Sequence, residues 1–219
     1  DDRPAYDIAI KLKIPISLVE DVVVDGQSHR IFYQNNLPHS IEGNRKLREY
    51  CWSNYHLELE EKISLGKSFF EKRRSGLPSG DKIYIGSQKA DLVPKFDKTK
   101  INVAIMNSSE DEFASVGGEW EKLKLFHTQY EGIIFLLENA SKDVHFYLRI
   151  HPNLKDVPYS YHTKLLRLSE KYDNITVIPG DSPMSTYGIM DNVDIVVSFG
   201  STMGIESSFW GKPSIVLGP

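Results

Sequence analysis

Four small or polar residues cluster where an apolar run breaks, Ser198, Gly200, Ser201 and Thr202, and Glu206 follows one turn later. Hydroxyls and amides at the start of a helix fed by a buried strand form a ready site for a phosphate. Gly200 allows the sharp turn, and Ser201 and Thr202 are natural N-caps. Capping alone explains both hydroxyls; a phosphate bound at the same amides is the second reading. A capping-box glutamate belongs three residues after the cap, and from Ser201 that place is Gly204. Glu206 fits a capping role only with Met203 as the cap. Its side chain is expected to lean back towards Thr202, where a carboxylate can accept ribose hydroxyls.

A second cluster ends an apolar stretch near the middle of the chain. Arg149 and His151 lie two apart, and Pro152 bars a helical continuation and fixes the imidazole at a strand end. Read alone, Arg149 is a solvated or helix-covering side chain and His151 an incidental loop histidine. The functional reading of either is a ligand at the rim of a crevice. The third cluster is Glu110-Asp111-Glu112. Ser109 with Glu112 is itself a capping box, so a helix start explains much of it. Paired carboxylates at a crevice rim could instead supply a base or nucleophile.

These residues need elements to carry them. Ile195-Val196-Val197 is apolar at every position, as in a parallel strand covered on both faces. The helix after it is expected to place Ile205 and Phe209 on its inner face, with Gly211 ending it and a second buried strand from Ser214 to Leu217. Upstream, Ile101–Met106 reads as a buried strand. Residues 120–140 read as a helix with Trp120, Leu123, Phe126, Tyr130, Ile133 or Ile134, and Leu137 on one face. Residues 144–150 alternate as a strand, with Val144, Phe146, Leu148 and Ile150 on one side. Residues 159–172 are helical and Ile175–Ile178 is a strand. Ser182 caps a helix over residues 184–190, with Pro183 at its first position. Strands alternating with helices imply a right-handed, doubly wound parallel α/β layer. If its strands take the order 3-2-1-4-5, the first and fourth are neighbours. Their connections leave on opposite faces and open a crevice at their carboxyl ends.

The first hundred residues are less regular. Residues 6–16 and 17–24 carry β-branched residues, and Asp25-Gly26 is a turn signal between short apolar runs. Residues 42–74 are helical, as one helix or as two divided near Gly66. Residues 77–81 are a loop, residues 82–86 a short strand, and residues 94–100 a polar linker. The expected division is residues 1–95 as a partial, largely helical region with a linker, and residues 96–219 as the α/β domain.

Composition excludes several classes. A net charge of −4 over 219 residues argues against a general nucleic-acid binder. One cysteine rules out an intrachain disulfide framework and fits a reducing, cytoplasmic compartment. The seven histidines show no metal-ligand spacing, and no P-loop, dinucleotide or nucleophile-elbow motif occurs. Arg73-Arg74 after a helix could touch a membrane surface peripherally; a solvated helix end explains them better. The chain lacks a starting methionine and stops just after a strand, so a piece of a longer protein is expected.

Three of these pieces carry a resemblance: RIHP (Arg149, Ile150, His151, Pro152), the SFGST turn, and GIESSFWGKP running from Gly204 to Pro213. Together they resemble the donor-binding half of GT-B glycosyltransferases. The resemblance is strongest to bacterial capsule and surface-polysaccharide proteins, Kdo-transferase-like and sialyltransferase-like members among them. It covers residues 101–219 and implies a Rossmann-like domain. It further implies a nucleotide-sugar donor (CMP- or UDP-linked) as substrate with no cofactor and no metal. The acceptor would be a glycan or glycolipid held by a first domain present only in part. Arg149, His151, Ser198, Gly200, Ser201, Thr202 and Glu206 would hold the donor; His151 and, more loosely, Asp111 would be catalytic. Retaining GT-B enzymes of the common type carry a second glutamate seven positions before the first; here that position is Phe199. Three alternatives stay open: a polyol-phosphate transferase resembling the teichoic-acid enzymes, a sugar-nucleotide epimerase of the same fold, and a non-catalytic nucleotide-binding module.

Overall fold

The computed structural model describes residues 3–24, 27–77, 84–110, 118–155 and 160–218. The chain divides into two compact units. The N-terminal unit takes Asp1–Ile83 and Ala114–Lys122; the sheet unit takes Tyr84–Phe113 and Leu123–Pro219.

The N-terminal unit opens with helix α1 (Arg3–Lys11), where β-branched residues alone suggested extended chain. Pro4 suits a first helical turn, and Arg3 pairs with Asp7 one turn on at 2.8 Å. Strands β1 (Ser17–Val24) and β2 (Gln27–Gln34) pair antiparallel, with Val24 opposite Gln27. The expected turn residues between them, Asp25 and Gly26, lie outside the described residues. Two helices follow, α2 (Ile41–Asn54) and α3 (Leu59–Arg74). The break falls at residues 55–58, not at Gly66. There the Glu61 carboxylate accepts the Glu58 N–H at 3.0 Å and starts a new helix. The expected strand at residues 82–86 is not formed over its described part, residues 84–86.

The sheet unit is a parallel five-stranded sheet. Its strands are β3 (Ile101–Met106), β4 (Val144–Arg149), β5 (Ile175–Ile178), β6 (Ile195–Ser198) and β7 (Ser214–Val216). They lie in the order β5-β4-β3-β6-β7, all neighbours parallel. This is the 3-2-1-4-5 order, and the sheet is Rossmann-like. Both faces are covered. On one face Val103, Ile105, Phe146, Leu148 and Val197 pack with Ile133 and Leu137, and with Leu165 and Leu168. On the other, Ala104, Met106, Tyr147 and Val196 pack with Tyr187, Ile189, Met190 and Val193. Burial on two sides accounts for strands with no polar alternation.

Several helix bounds differ from the periodic reading. Residues 120–140 form two helices, α4 (Glu119–Leu123) and α5 (Gln129–Asn139). Thr128 caps α5 through its hydroxyl, and Glu131 accepts the His127 N–H. Thr128 is a natural N-cap that the apolar periodicity overrode. Residues 159–172 divide at Arg167 into α6 (Ser160–Leu166) and α7 (Leu168–Lys171). Helix α8 (Thr186–Asn192) starts later than expected. Ser185, not Ser182, accepts the capping bond, from Gly188 N–H at 2.9 Å. Lys212 closes its other end, donating to the carbonyls of Asp191 and Val193 at 2.8 Å each. Helix α9 (Met203–Phe209) follows β6.

The two largest corrections are at the chain's end. Ile205 is 66% exposed and Phe209 is exposed as well. Gly204, Glu206 and Ser207 form the inner face instead. Small residues let α9 sit close to the sheet: a Cβ on Gly204 would stand 2.4 Å from Ser198 Oγ. Strand β7 is not buried either, for it is the last strand in the order, and Val216 is 62% exposed. Among the described residues, no helix is long and apolar enough to cross a membrane.

His145 at the start of β4 supplies a pH-dependent element. Burial, and to a lesser degree the Lys100 charge, pulls its pKa below the ordinary value of 6.5. The unfolded chain therefore binds this proton more tightly than the folded one. Stability is intact above 6.5 and falls as pH drops through the lowered folded value. Thermal melts at pH 7 and pH 5 are expected to differ less for His145→Gln than for the unmodified chain.

Candidate functional site

The sheet register aligns the loops that carry the site. Arg149, Met106 and Ser198 form one row across β4, β3 and β6. His151, Ser108 and Gly200 each lie two residues beyond that row. Adjacent parallel strands run about 4.8 Å apart, so three polar loops leave the sheet side by side. Direct bonds tie them together. His151 N–H donates to Asn107 Oδ1 at 2.9 Å, and Phe199 N–H donates to the Met106 carbonyl at 3.0 Å. The order reverses between β3 and β6, where a doubly wound sheet opens its crevice.

The loop after β3 is built inward. Asn107, Ser108 and Ser109 are all buried. Ser108 N–H donates to Gln129 Oε1 at 3.1 Å, and Gln129 Nε2 returns a bond to Ser108 Oγ at 2.8 Å. Glu110 accepts the Gln129 N–H. Gln129 therefore locks this loop to the start of α5, a role that only a pairing of sheet loop with helix start could have revealed. Asp111 and Glu112 lie outside the described residues.

His151 is half-buried at the end of β4. Its Nδ1 accepts the Asn153 N–H at 3.2 Å and caps a short 3-10 turn, Pro152–Leu154. A nitrogen that accepts carries no proton, so the neutral ring holds its proton on Nε2. The ring meets Tyr84 edge-on at 5.1 Å between centroids.

Arg149 is not a solvated side chain: it is 3% exposed. Nη1 donates to the Pro179 carbonyl at 2.6 Å and Nη2 to the Ser182 carbonyl at 3.1 Å. Its Nε is buried with no partner among the described residues. Burial pulls the guanidinium down to about 10, against the opposing pull of Asp181. Arg149 thus clamps the loop between β5 and α8 beneath His151. Gly180 of that loop lies so close that a Cβ would stand 2.9 Å from the His151 carbonyl oxygen.

The turn after β6 has the conformation its residues suggest. Gly200 has φ 61°, and its N–H donates to the Gly218 carbonyl at 2.9 Å. The amides opening α9 are not bare, however. Met203 N–H donates to Ser201 Oγ at 3.3 Å, Gly204 N–H to the Ser201 carbonyl and Ile205 N–H to the Thr202 carbonyl. Thr202 stands at the cap but makes no side-chain capping bond; its hydroxyl donates to Glu206 Oε1 at 3.2 Å. Glu206 leans back towards Thr202, and its carboxylate is 1% exposed. Oε2 accepts from the Tyr187 hydroxyl of α8. Tyr187 is the partner that sequence spacing did not reveal. The bond is buried, and leaving a buried acceptor unpaired costs about 1–3 kcal/mol. Tyr187→Phe is expected to lower unfolding stability in urea by about that amount. An unchanged midpoint would mean the carboxylate is held elsewhere.

The seven described site residues therefore fall into two layers. His151, Gly200, Ser201 and Thr202 are half-buried or exposed at the rim. Arg149, Ser198 and Glu206 are buried beneath it. Ser198 Oγ lies against Gly204 with no partner among the described residues. Phe199 is buried in the core on the α5 face, so the turn offers its backbone and hydroxyls, not this side chain, to the crevice.

No family model and no curated protein matches the chain. Among solved structures, the chain is similar to KpsC, a beta Kdo 2,4 transferase of Thermosulfurimonas dismutans, with a TM-score of 0.58 and 16% identity. The similarity covers 99% of this chain and 65% of that one. At this identity the likeness is one of fold alone.

Proposed function

We propose that the protein is a glycosyltransferase, or the greater part of one, that takes its sugar from a nucleotide donor at the crevice above β3, β4 and β6. One observation carries this reading: the reversal of strand order brings three polar loops to one edge, and the donor of the resembling enzymes is expected there. Likeness of fold to a Kdo transferase supports it. The Nε2 proton of His151 and the hydroxyls of Ser201 and Thr202 are suited to a departing phosphate, which they stabilise as charge develops on its oxygens. Arg149 and Glu206 act from below, holding the loop and turn that present those groups. In this arrangement Glu206 reaches donor ribose only by exchanging its bonds to Tyr187 and Thr202. The catalytic base or nucleophile belongs to the loop after β3, with Asp111 as the proposed residue, and the acceptor is a glycan or glycolipid.

Calorimetry with CMP, UDP and CDP tests the donor site. Binding of CMP or UDP supports sugar transfer, whereas preference for CDP favours polyol-phosphate transfer. Binding of none of the three would sink the donor reading.

A further inference from the structure

We infer that the protein pairs with a second copy of itself through helix α3, the two copies lying antiparallel across a two-fold axis near Gly66. Neither α2 nor α3 buries a residue. Helices of this length are marginal in water unless one face is covered. Leu59, Ile63, Gly66 and Phe70 recur at spacings of 4, 3 and 4 and form one stripe along α3. Leu59 and Ile63 are 54% and 58% exposed, Gly66 is exposed and Phe70 is half-buried. The side of α3 turned towards α2 is a different one. There Lys62 donates to the Trp52 carbonyl at 2.7 Å, and Lys62 and Leu65 line the groove between the helices.

The charges of α3 select the occupant. Its first turn carries Glu60 and Glu61, and its last turn Lys72, Arg73 and Arg74. Each end suits the helix dipole. A helix acidic at one end and basic at the other is also complementary to itself when reversed, so a second copy laid antiparallel meets opposite charge at both ends. Glu60 and Arg74 are fourteen residues apart, close to four turns, and so flank the stripe on the same side. A two-fold axis brings like flanks together and sets the acidic end of each copy beside the basic end of the other. A lipid surface would instead call for cations along the whole polar face.

Gly66 fits this axis, for it stands at the middle of α3 (Leu59–Arg74). Glycine weakens a helix interior relative to alanine. Among the described residues no packing requires it: a Cβ there would meet nothing within 4 Å. With no side chain at the axis, two helices can approach to the short end of the usual range of about 8–10 Å, and the apolar residues of the stripe close on either side. A contact one helix long is small, so a reversible dimer in the micromolar range is expected.

Sedimentation equilibrium on the full chain, run from about 1 to about 200 μM to bracket weak association, tests the pairing. The apparent mass is expected to rise from monomer towards dimer. Ile63→Asp and Gly66→Gln change exposed positions, and each is expected to weaken association about tenfold or more. Gly66→Gln also raises helix propensity, so circular dichroism is expected to show helix content held or increased while pairing is lost, which separates interface from fold. Glu60→Lys and Arg74→Glu are each expected to associate weakly alone. An equimolar mixture of the two is expected to recover, because a mixed pair restores opposite charges at both ends. A chain that stays monomeric throughout overturns the inference. So do dimers indifferent to Ile63→Asp and Gly66→Gln, and a mixture no stronger than its parents. The donor reading rests on CMP or UDP binding and not on association, so the two fail separately.

Discussion

His151→Ala is expected to weaken the binding of CMP or UDP about ten- to a hundredfold, the loss of one charge-assisted hydrogen bond of about 1.5–3 kcal/mol. The argument rests on the tautomer. Nδ1 accepts the Asn153 N–H, so the ring proton sits on Nε2, where it can donate to a phosphate oxygen. The ring is held on two further sides. Its own backbone N–H is bound by Asn107, and Tyr84 meets its edge. A donor fixed in this way loses little entropy on binding. Alanine removes two things together, the Nε2 donor and the Nδ1 cap of the turn Pro152–Leu154. His151→Asn separates them, because an asparagine oxygen can still accept the Asn153 N–H while offering no donor at the Nε2 position. Both variants are expected to lose nucleotide affinity, and only His151→Ala to lose the cap. Unchanged affinity in both would place the phosphate somewhere other than this loop.

The sequence was most legible where burial leaves no choice. Ile195–Val197 is apolar at every position and Ile101–Met106 at all but Asn102, and a parallel sheet with both faces covered is the structure that uses such runs. The convergence of the loops followed from topology once the strands were in order, because the loops after β3, β4 and β6 start in one register. Side-chain direction was less legible. The pattern of α9 suggested Ile205 and Phe209 as its inner face, yet close approach to the sheet requires small residues there, and Gly204 and Ser207 supply them. The buried role of Glu206 depends on Tyr187, nineteen residues earlier and on another helix. No local spacing encodes that contact. Arg149 was misread for the same reason: its partners are carbonyls of a loop some thirty residues on, and carbonyls leave no mark in a sequence. Thr128 did leave a mark, a natural N-cap that apolar periodicity overrode.

Gly132→Ala is expected to destabilise the sheet unit by about 1–3 kcal/mol, the usual cost of forcing extra volume into a packed core. An added Cβ would stand 2.7 Å from Phe199 Cε1 and 2.9 Å from Phe126 Cδ2. Phe199 cannot step aside cheaply, since it is buried among the side chains on the α5 face. Its backbone is fixed as well: the Phe199 N–H binds the Met106 carbonyl, and the next N–H, of Gly200, binds the Gly218 carbonyl. Displacement of the ring is therefore passed to the Gly200-Ser201-Thr202 turn, and CMP affinity is expected to fall together with stability. Phe199→Leu removes the ring atoms that a Cβ would strike. In the Gly132→Ala background it is expected to cost less than the two single changes added together, as contacting residues do. Additive costs would show that α5 and the turn do not meet through this contact. Destabilisation with full CMP affinity at low temperature would show that the contact holds the core without setting the turn, leaving the shape of the turn to the backbone bonds at Met106 and Gly218.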